Sequence, residues 1–422
     1  MTFEVLMGIL LFLVALISLA NLPLGLSVLL VTRSSLELKY NLEGFQSGEL
    51  RVTIIFAFVI ILLGLLVFGL KRRKDPLHLY PWSLLLGAFF LLPFLRGVSS
   101  NVLDIVEPVI RLFFFISAYY ISFSAVNLKN QKALYWLLNA IILSTIIPIA
   151  VANYSIMTGY RLKVSTFDQG LWFLTTTSSR NAYVVYLCLV FPILLGLSYS
   201  AERKLRMFYT LWSLVMLVSI IISSSRIGVI LVTLSLVLFI LTAVERLTSK
   251  LVYSLTATLL GAIISLKAGY IIHRFSLAFS PESSTLYERF RIWGYVLRFL
   301  SLESWSYWIT GRGSIMELPV IPHNSYVQAL YEFGVLGLGI YIMLYLKVLR
   351  ASLKVIRQPN FHFSRVILKC ILISQGMFLV ASITENLFLS GVSTWLFWVL
   401  SGITAAVYGQ TNRKGYGFLK EI

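Results

Sequence analysis

From about residue 8 to residue 409 the chain is a succession of apolar runs, each close to the length that crosses a bilayer as a helix. A hydrocarbon core of about 30 Å takes roughly 20 helical residues at about 1.5 Å each. Such runs fall at about 8–31, 52–70, 79–95, 106–126, 133–154, 172–199, 207–224, 227–244, 251–268, 325–346, 367–386 and 392–409. They do not alternate apolar with polar residues, which excludes the strands of a membrane β-barrel. With 58% hydrophobic and 12% charged residues over 422 positions, a soluble fold has nowhere to hide the apolar surface. The expectation is an all-α polytopic membrane protein of about twelve transmembrane helices, one integral membrane domain over 1–422. The first run lacks a basic leader and reads as a retained anchor. It should kink at Asn21-Leu22-Pro23-Leu24-Gly25.

Charge sets the orientation. The net charge of +18 comes from 35 basic against 17 acidic residues. In a soluble chain that excess would suggest nucleic acid. Here the basic residues cluster in alternate loops, at Lys71-Arg72-Arg73-Lys74, Lys129 and Lys132, Arg203, Lys204 and Arg206, Arg246 and Lys250, Lys347 to Lys369, and Arg413 to Lys420. The positive-inside rule makes these loops and both termini cytoplasmic. No nucleic-acid partner is expected, and the surplus suits anionic membrane lipids. Cys188 and Cys370 both fall inside apolar runs, so neither a disulfide framework nor a zinc site is indicated. The largest outer loop, 267–324, joins the ninth and tenth spans. Its amphipathic stretch from Leu286 to Trp308 reads as short helices at or just above the membrane surface.

The outer face collects unusual residues. Arg161 lies in YRLKVSTFDQG, Arg180 and Asn181 in TTSSRNAYVVY, Arg226 in ISSSRIGVI, and Arg289 and Arg291 in YERFRIWGYVL. His323 opens the tenth span. An arginine at a helix end ordinarily snorkels to lipid headgroups. Arg226 is different, because its hairpin is tight enough to hold the guanidinium at the bilayer edge, where it needs a partner or a function. If a helix starts near Asn324, then Asn324, Gln328 and Glu332 share one face, with Glu332 about 12 Å from the start. Gly334, Gly337 and Gly339 would then permit close helix contact.

Arginines hold phosphate bidentately and stay charged. A cluster of them stabilises a pyrophosphate leaving group without a metal, and the sequence has no acidic cluster to bind one. Neither metal nor cofactor is expected. Histidine titrates near neutrality and takes a proton from an attacking hydroxyl. Together these residue types suit transfer of a group from a lipid-linked pyrophosphate to an alcohol.

Four pieces in order carry a resemblance. They are Arg161 followed by Phe167 and Asn181-Ala182; Ser225-Arg226 before an apolar span; Arg289 four residues before Trp293, then Gly311 and Gly313; and His323-Asn324 followed by Leu330, Gly334 and Gly337. Over about 160–346 the chain resembles the O-antigen polymerase and O-antigen ligase superfamily of bacterial envelope glycosyltransferases. The resemblance implies an inner-membrane enzyme with a periplasmic active site. It would move an undecaprenyl-pyrophosphate-linked glycan onto a sugar hydroxyl, with inversion and without metal. It implies Arg226 and Arg289 as pyrophosphate ligands and His323 as the residue at the acceptor. Arg161, Arg180 and Arg291 are further ligand candidates, with Asn181, Asn324, Gln328 and Glu332 in support. Asp168, Glu288 and Glu332 are rivals for the base. The expected acceptor is another lipid-linked glycan (a polymerase), with lipid A core (a ligase) as the alternative. A chain-length regulator is a candidate partner. A transporter of the same lipid-linked glycan is the distant alternative, and it would place its charges near the midplane with broken helices in matching halves.

Overall fold

The computed structural model describes residues 13–14, 16–18, 20–33, 49–71, 77, 79, 85–86, 102–126, 131–158, 180–223, 225–245, 250, 253, 285–302, 305–313, 322–357, 365–387 and 391–418. Among these residues the secondary structure is helical, with no strand. In chain order the α-helices are α1 (Leu22–Arg33), α2 (Glu49–Lys71), α3 (Val102–Ala125), α4 (Gln131–Leu143), α5 (Ile146–Thr158), α6 (Arg180–Ser200) and α7 (Arg203–Ile222). They continue with α8 (Arg226–Leu238), α9 (Thr285–Leu302), α10 (Trp305–Thr310), α11 (Ser325–Ile356), α12 (Arg365–Thr384) and α13 (Gly391–Phe418). A π-helical turn, Phe239–Ala243, extends α8.

Seven stretches among the described residues are long and apolar enough to cross a membrane, and three shorter apolar helices accompany them. The chain is therefore an α-helical protein built for a membrane. The expected spans 79–95 and 251–268 lie almost wholly outside the described residues. The expected span 133–154 is made of α4 and α5, separated by a turn at Ser144 and Thr145. Pro148 accounts for that turn, because it has no N–H to give the Ser144 carbonyl and its ring crowds that oxygen. The chain also breaks at Asn21, whose Oδ1 accepts the Leu24 N–H at 3.3 Å and so starts α1.

Helix α6 is the hub. Every residue of α6 from Ala182 to Ser198 is buried, whereas α7 turns Leu205, Leu211 and Val218 outward. Helices α4, α7, α8, α12 and α13 all pack on α6. Buried hydroxyls and amides tie neighbouring helices. Ser374 Oγ on α12 donates to the Leu189 carbonyl of α6 at 2.6 Å. Ser352 on α11 donates to Gln375 Oε1 on α12 at 2.8 Å, and Gln375 Nε2 reaches Thr404 on α13 at 3.3 Å. Such bonds fasten helices where lipid gives no hydrophobic drive between them.

Helix α11 is not continuous. Gly334 has φ 67 and ψ −170, which ends a first segment after Phe333 and starts a second. Only glycine adopts this backbone without strain, and an added Cβ would lie 2.4 Å from the Ile309 carbonyl oxygen. Three glycines were expected to share one role here, and the structure separates them. Gly334 is the break, Gly337 lies against Phe333 of its own helix, and Gly339 faces open space.

Candidate functional site

Four helix ends meet at one end of the bundle. Helices α6, α8 and α11 begin there, and α12 ends there at Thr384. The basic residues Arg203, Lys204, Arg206, Arg357 and Arg365 lie at the opposite ends of the helices that bear them or adjoin them.

The meeting point is a chain of side-chain bonds. Ser225, the residue before α8, donates Oγ to Asn181 Oδ1 at 3.1 Å. Asn181, in the first turn of α6, donates Nδ2 to Glu385 Oε1 at 2.9 Å. Arg289 on α9 donates Nη2 to the same Glu385 oxygen at 3.1 Å and Nη1 to the Thr384 carbonyl at 2.5 Å. The Glu385 backbone is held too. Ser325 Oγ donates to the Glu385 carbonyl at 3.1 Å and accepts the Leu387 N–H at 2.9 Å. Glu385 thus binds the ends of α6, α9, α11 and α12 together. Its side chain is 10% exposed and that of Arg289 is 20% exposed, so the pair is largely withdrawn from water.

The charges divide by helix electrostatics. The guanidinium of Arg289 lies on the Thr384 carbonyl at the C-terminus of α12, where the macrodipole favours a cation. Arg226 is the opposite case. It is half-buried at the first position of α8, where the dipole disfavours a cation. Arg180 has the same place on α6. Helix stability does not explain either arginine. Helix N-termini with arginines beside them do suit an anion.

His323 is exposed and carries φ 46, the only positive φ of a non-glycine among the described residues. Its neighbours impose that backbone. Pro322 is held by Trp293, whose Nε1 donates to the Pro322 carbonyl at 2.6 Å. Asn324 caps α11, its Oδ1 accepting the N–H groups of Tyr326 at 2.9 Å and Val327 at 3.0 Å. With both flanks fixed, strain concentrates at His323 and its imidazole is presented outward. Strained residues of this kind cluster at functional sites.

Below His323, Gln328 Nε2 donates to Glu332 Oε1 at 2.9 Å, and both residues are buried. The break at Gly334 deprives the Tyr331 carbonyl of its helical donor at residue 335. The Arg312 N–H takes that place at 2.8 Å. Gly311, φ 77, makes the approach possible, since a Cβ there would lie 2.3 Å from the Glu332 carbonyl oxygen. The Arg312 guanidinium lies 4.6 Å from the Phe299 ring centroid, a cation–π contact.

Of the residues expected from sequence, Asn181, Arg226, Arg289, His323 and Asn324 lie in or beside this cluster. Asn324 serves as a helix cap. Gln328 and Glu332 lie one and two turns further along α11. Arg291 is exposed, two positions from Arg289 and so on another side of α9. Only the backbone of Arg180 and of Glu288 is described, and Arg161 and Asp168 lie outside the described residues. Sequence reasoning missed Glu385. Its signal was a carboxylate at the end of an apolar span, in SITENLF. The amide of the adjacent Asn386 is buried, with no hydrogen-bond partner for Nδ2 or Oδ1 among the described residues.

No protein-family model matches the sequence, and no curated protein matches it.

Proposed function

We infer that the cluster is the active site of a metal-independent glycosyltransferase that uses a lipid-linked pyrophosphate donor. The observation that supports this best is the bonded chain Ser225–Asn181–Glu385–Arg289. It draws the arginine-bearing first turns of α6 and α8 to the same place as Arg289 and the strained His323. In this reading the acceptor hydroxyl loses its proton to the His323 imidazole, and its oxygen attacks the anomeric carbon of the glycan from the face opposite the phosphate. The bond from that carbon to the phosphate oxygen breaks, with inversion, and undecaprenyl pyrophosphate leaves. Arg226, the N–H groups opening α6 and α8, and the N–H groups that Arg289 does not spend on Glu385 and Thr384 hold the departing charge.

In this reading the cluster faces the periplasm from a bacterial inner membrane, which the basic ends opposite it support through the positive-inside rule. The activity favoured is that of an O-antigen polymerase, with lipid-linked glycan as both donor and acceptor. One experiment tests this. Purified protein receives only the undecaprenyl-pyrophosphate-linked repeat unit, and the products are resolved on a gel. A ladder of longer lipid-linked glycans supports polymerisation. Transfer that appears only with lipid A core makes the enzyme a ligase. Transport is a second reading, favoured by the helix break at Gly334 beside buried Glu332. Under that reading the gel stays blank and donor-loaded vesicles show translocation.

A further inference from the structure

We propose that α9 and α10 form a hairpin sunk into the bilayer leaflet on the cluster side, with lipid as the partner of its exposed face. The depth follows from the helices that meet at the cluster. The spans Asn181–Ser200, Arg365–Thr384 and Arg226–Ala243 hold 20, 20 and 18 residues. They are therefore about 27–30 Å long, the thickness of the hydrocarbon core. Their ends at Asn181, Glu385 and Ser225 mark one membrane boundary, and Ser325 is bonded to Glu385 at that level.

From there α11 runs inward beside α12. The Tyr326 hydroxyl donates to the Leu379 carbonyl at 3.0 Å, and Phe333 belongs to the main buried core. Residues Tyr331 to Gly334 thus lie about 9–14 Å along α11 from Ser325. The hairpin is fastened at this depth. Val296 and Leu300 of α9 pack on Tyr331, the Arg312 N–H bonds the Tyr331 carbonyl, and Gly311 abuts the Glu332 carbonyl. Helix α9 starts at the boundary, through Arg289 and Trp293, and its far end and α10 reach the depth of the helix break.

The exposed side of the hairpin fits that place. Leu302 is 78% exposed and Trp305 73%, with Phe290, Tyr295 and Leu297 also exposed. In water such a surface would be a large uncovered apolar patch. Arg291 and Arg298 share the exposed side. Because Cα–Cβ bonds tilt toward the helix N-terminus, both lean back to the boundary, where guanidinium groups meet anionic headgroups. This placement is deeper than the sequence expectation of helices at or just above the surface. The seat holds whatever reaction the cluster performs, and it makes the leaflet continuous with Arg289 for any lipid-anchored ligand.

Nitroxide labels on full-length protein in phosphatidylethanolamine–phosphatidylglycerol vesicles test the seat. Labels go on Leu302→Cys, Trp305→Cys and Tyr295→Cys, so that one poorly folded variant does not decide the result. Cys188 and Cys370 are buried and stay in place. Leu211→Cys on the outer side of α7 is the lipid control, and Glu202→Cys before α7 is the aqueous control. Residues 302 and 305 should match Leu211, with oxygen collisions favoured severalfold over a nickel chelate relative to Glu202. Chelate access equal to that at Glu202 would overturn the proposal by placing the hairpin in water. Exclusion of both reagents would overturn it too, by showing that protein covers the face.

Discussion

Glu385 Oε1 accepts Arg289 Nη2 at 3.1 Å, and through this contact α9 is tied to the end of the apolar helix α12. The same oxygen accepts Asn181 Nδ2 at 2.9 Å. One carboxylate thus organises residues drawn from three separate regions of the chain, and the guanidinium assigned to the pyrophosphate is held in place by it.

Removing that carboxylate leaves Arg289 and Asn181 short of an acceptor. Glu385→Ala should cost about 2–3 kcal/mol, below the roughly 3–5 of a fully buried pair because Arg289 keeps part of its exposure. Glu385→Gln should cost less, since its carbonyl oxygen still accepts. Thermal unfolding in detergent measures both. In a double-mutant cycle, Arg289→Ala should cost at least about 1 kcal/mol less in the Glu385→Ala background than alone. Additive losses would show that the two residues are not coupled.

Gly334→Ala and Gly339→Ala should differ sharply. The first puts a Cβ 2.4 Å from the Ile309 carbonyl oxygen on a backbone with φ 67. It should cost about 2 kcal/mol or more. The second adds a methyl where nothing lies within 4 Å, in a helix interior. It should be neutral or stabilising by up to about 1 kcal/mol. Equal melting shifts would argue against the break in α11.

Asn324→Ala removes the acceptor for two N–H groups at the start of α11. A loss of about 1 kcal/mol is expected, with Asn324→Ser close to wild type. A catalytic role for Asn324 would instead appear as lost turnover in Asn324→Ser at unchanged stability.

Arg226→Lys should lose most glycan transfer while folding normally, because a point charge does not reproduce a bidentate fork. Transfer by Arg226→Lys at the wild-type rate would reduce Arg226 to a simple charge.

Much of the architecture was legible because bilayer physics is written in run length. The expected runs 207–224 and 367–386 coincide with α7 and α12 to within a few residues, 325–346 and 392–409 fall within α11 and α13, and the described part of 172–199 falls on α6. The start of α11 was readable from Asn324, a residue type that caps helices. The break at Gly334 was not. A glycine in an apolar helix reads equally as a contact surface, and only the approach of Ile309 and Gly311 distinguishes the two. Glu385 was hidden for a related reason. Its partners Asn181 and Arg289 lie 204 and 96 residues away, so no local pattern announces the bond. His323 was suspected for its chemistry, whereas its strained backbone arises from Trp293 and Asn324 acting from either side.

The most direct test of the account is transfer by His323→Ala, assayed on the undecaprenyl-pyrophosphate-linked repeat unit beside wild type at matched thermal stability. His323 is exposed, so the variant should fold normally. Wild-type protein should give extended glycan and His323→Ala none. Extension by the variant at the wild-type rate would contradict the account and remove His323 from the chemistry.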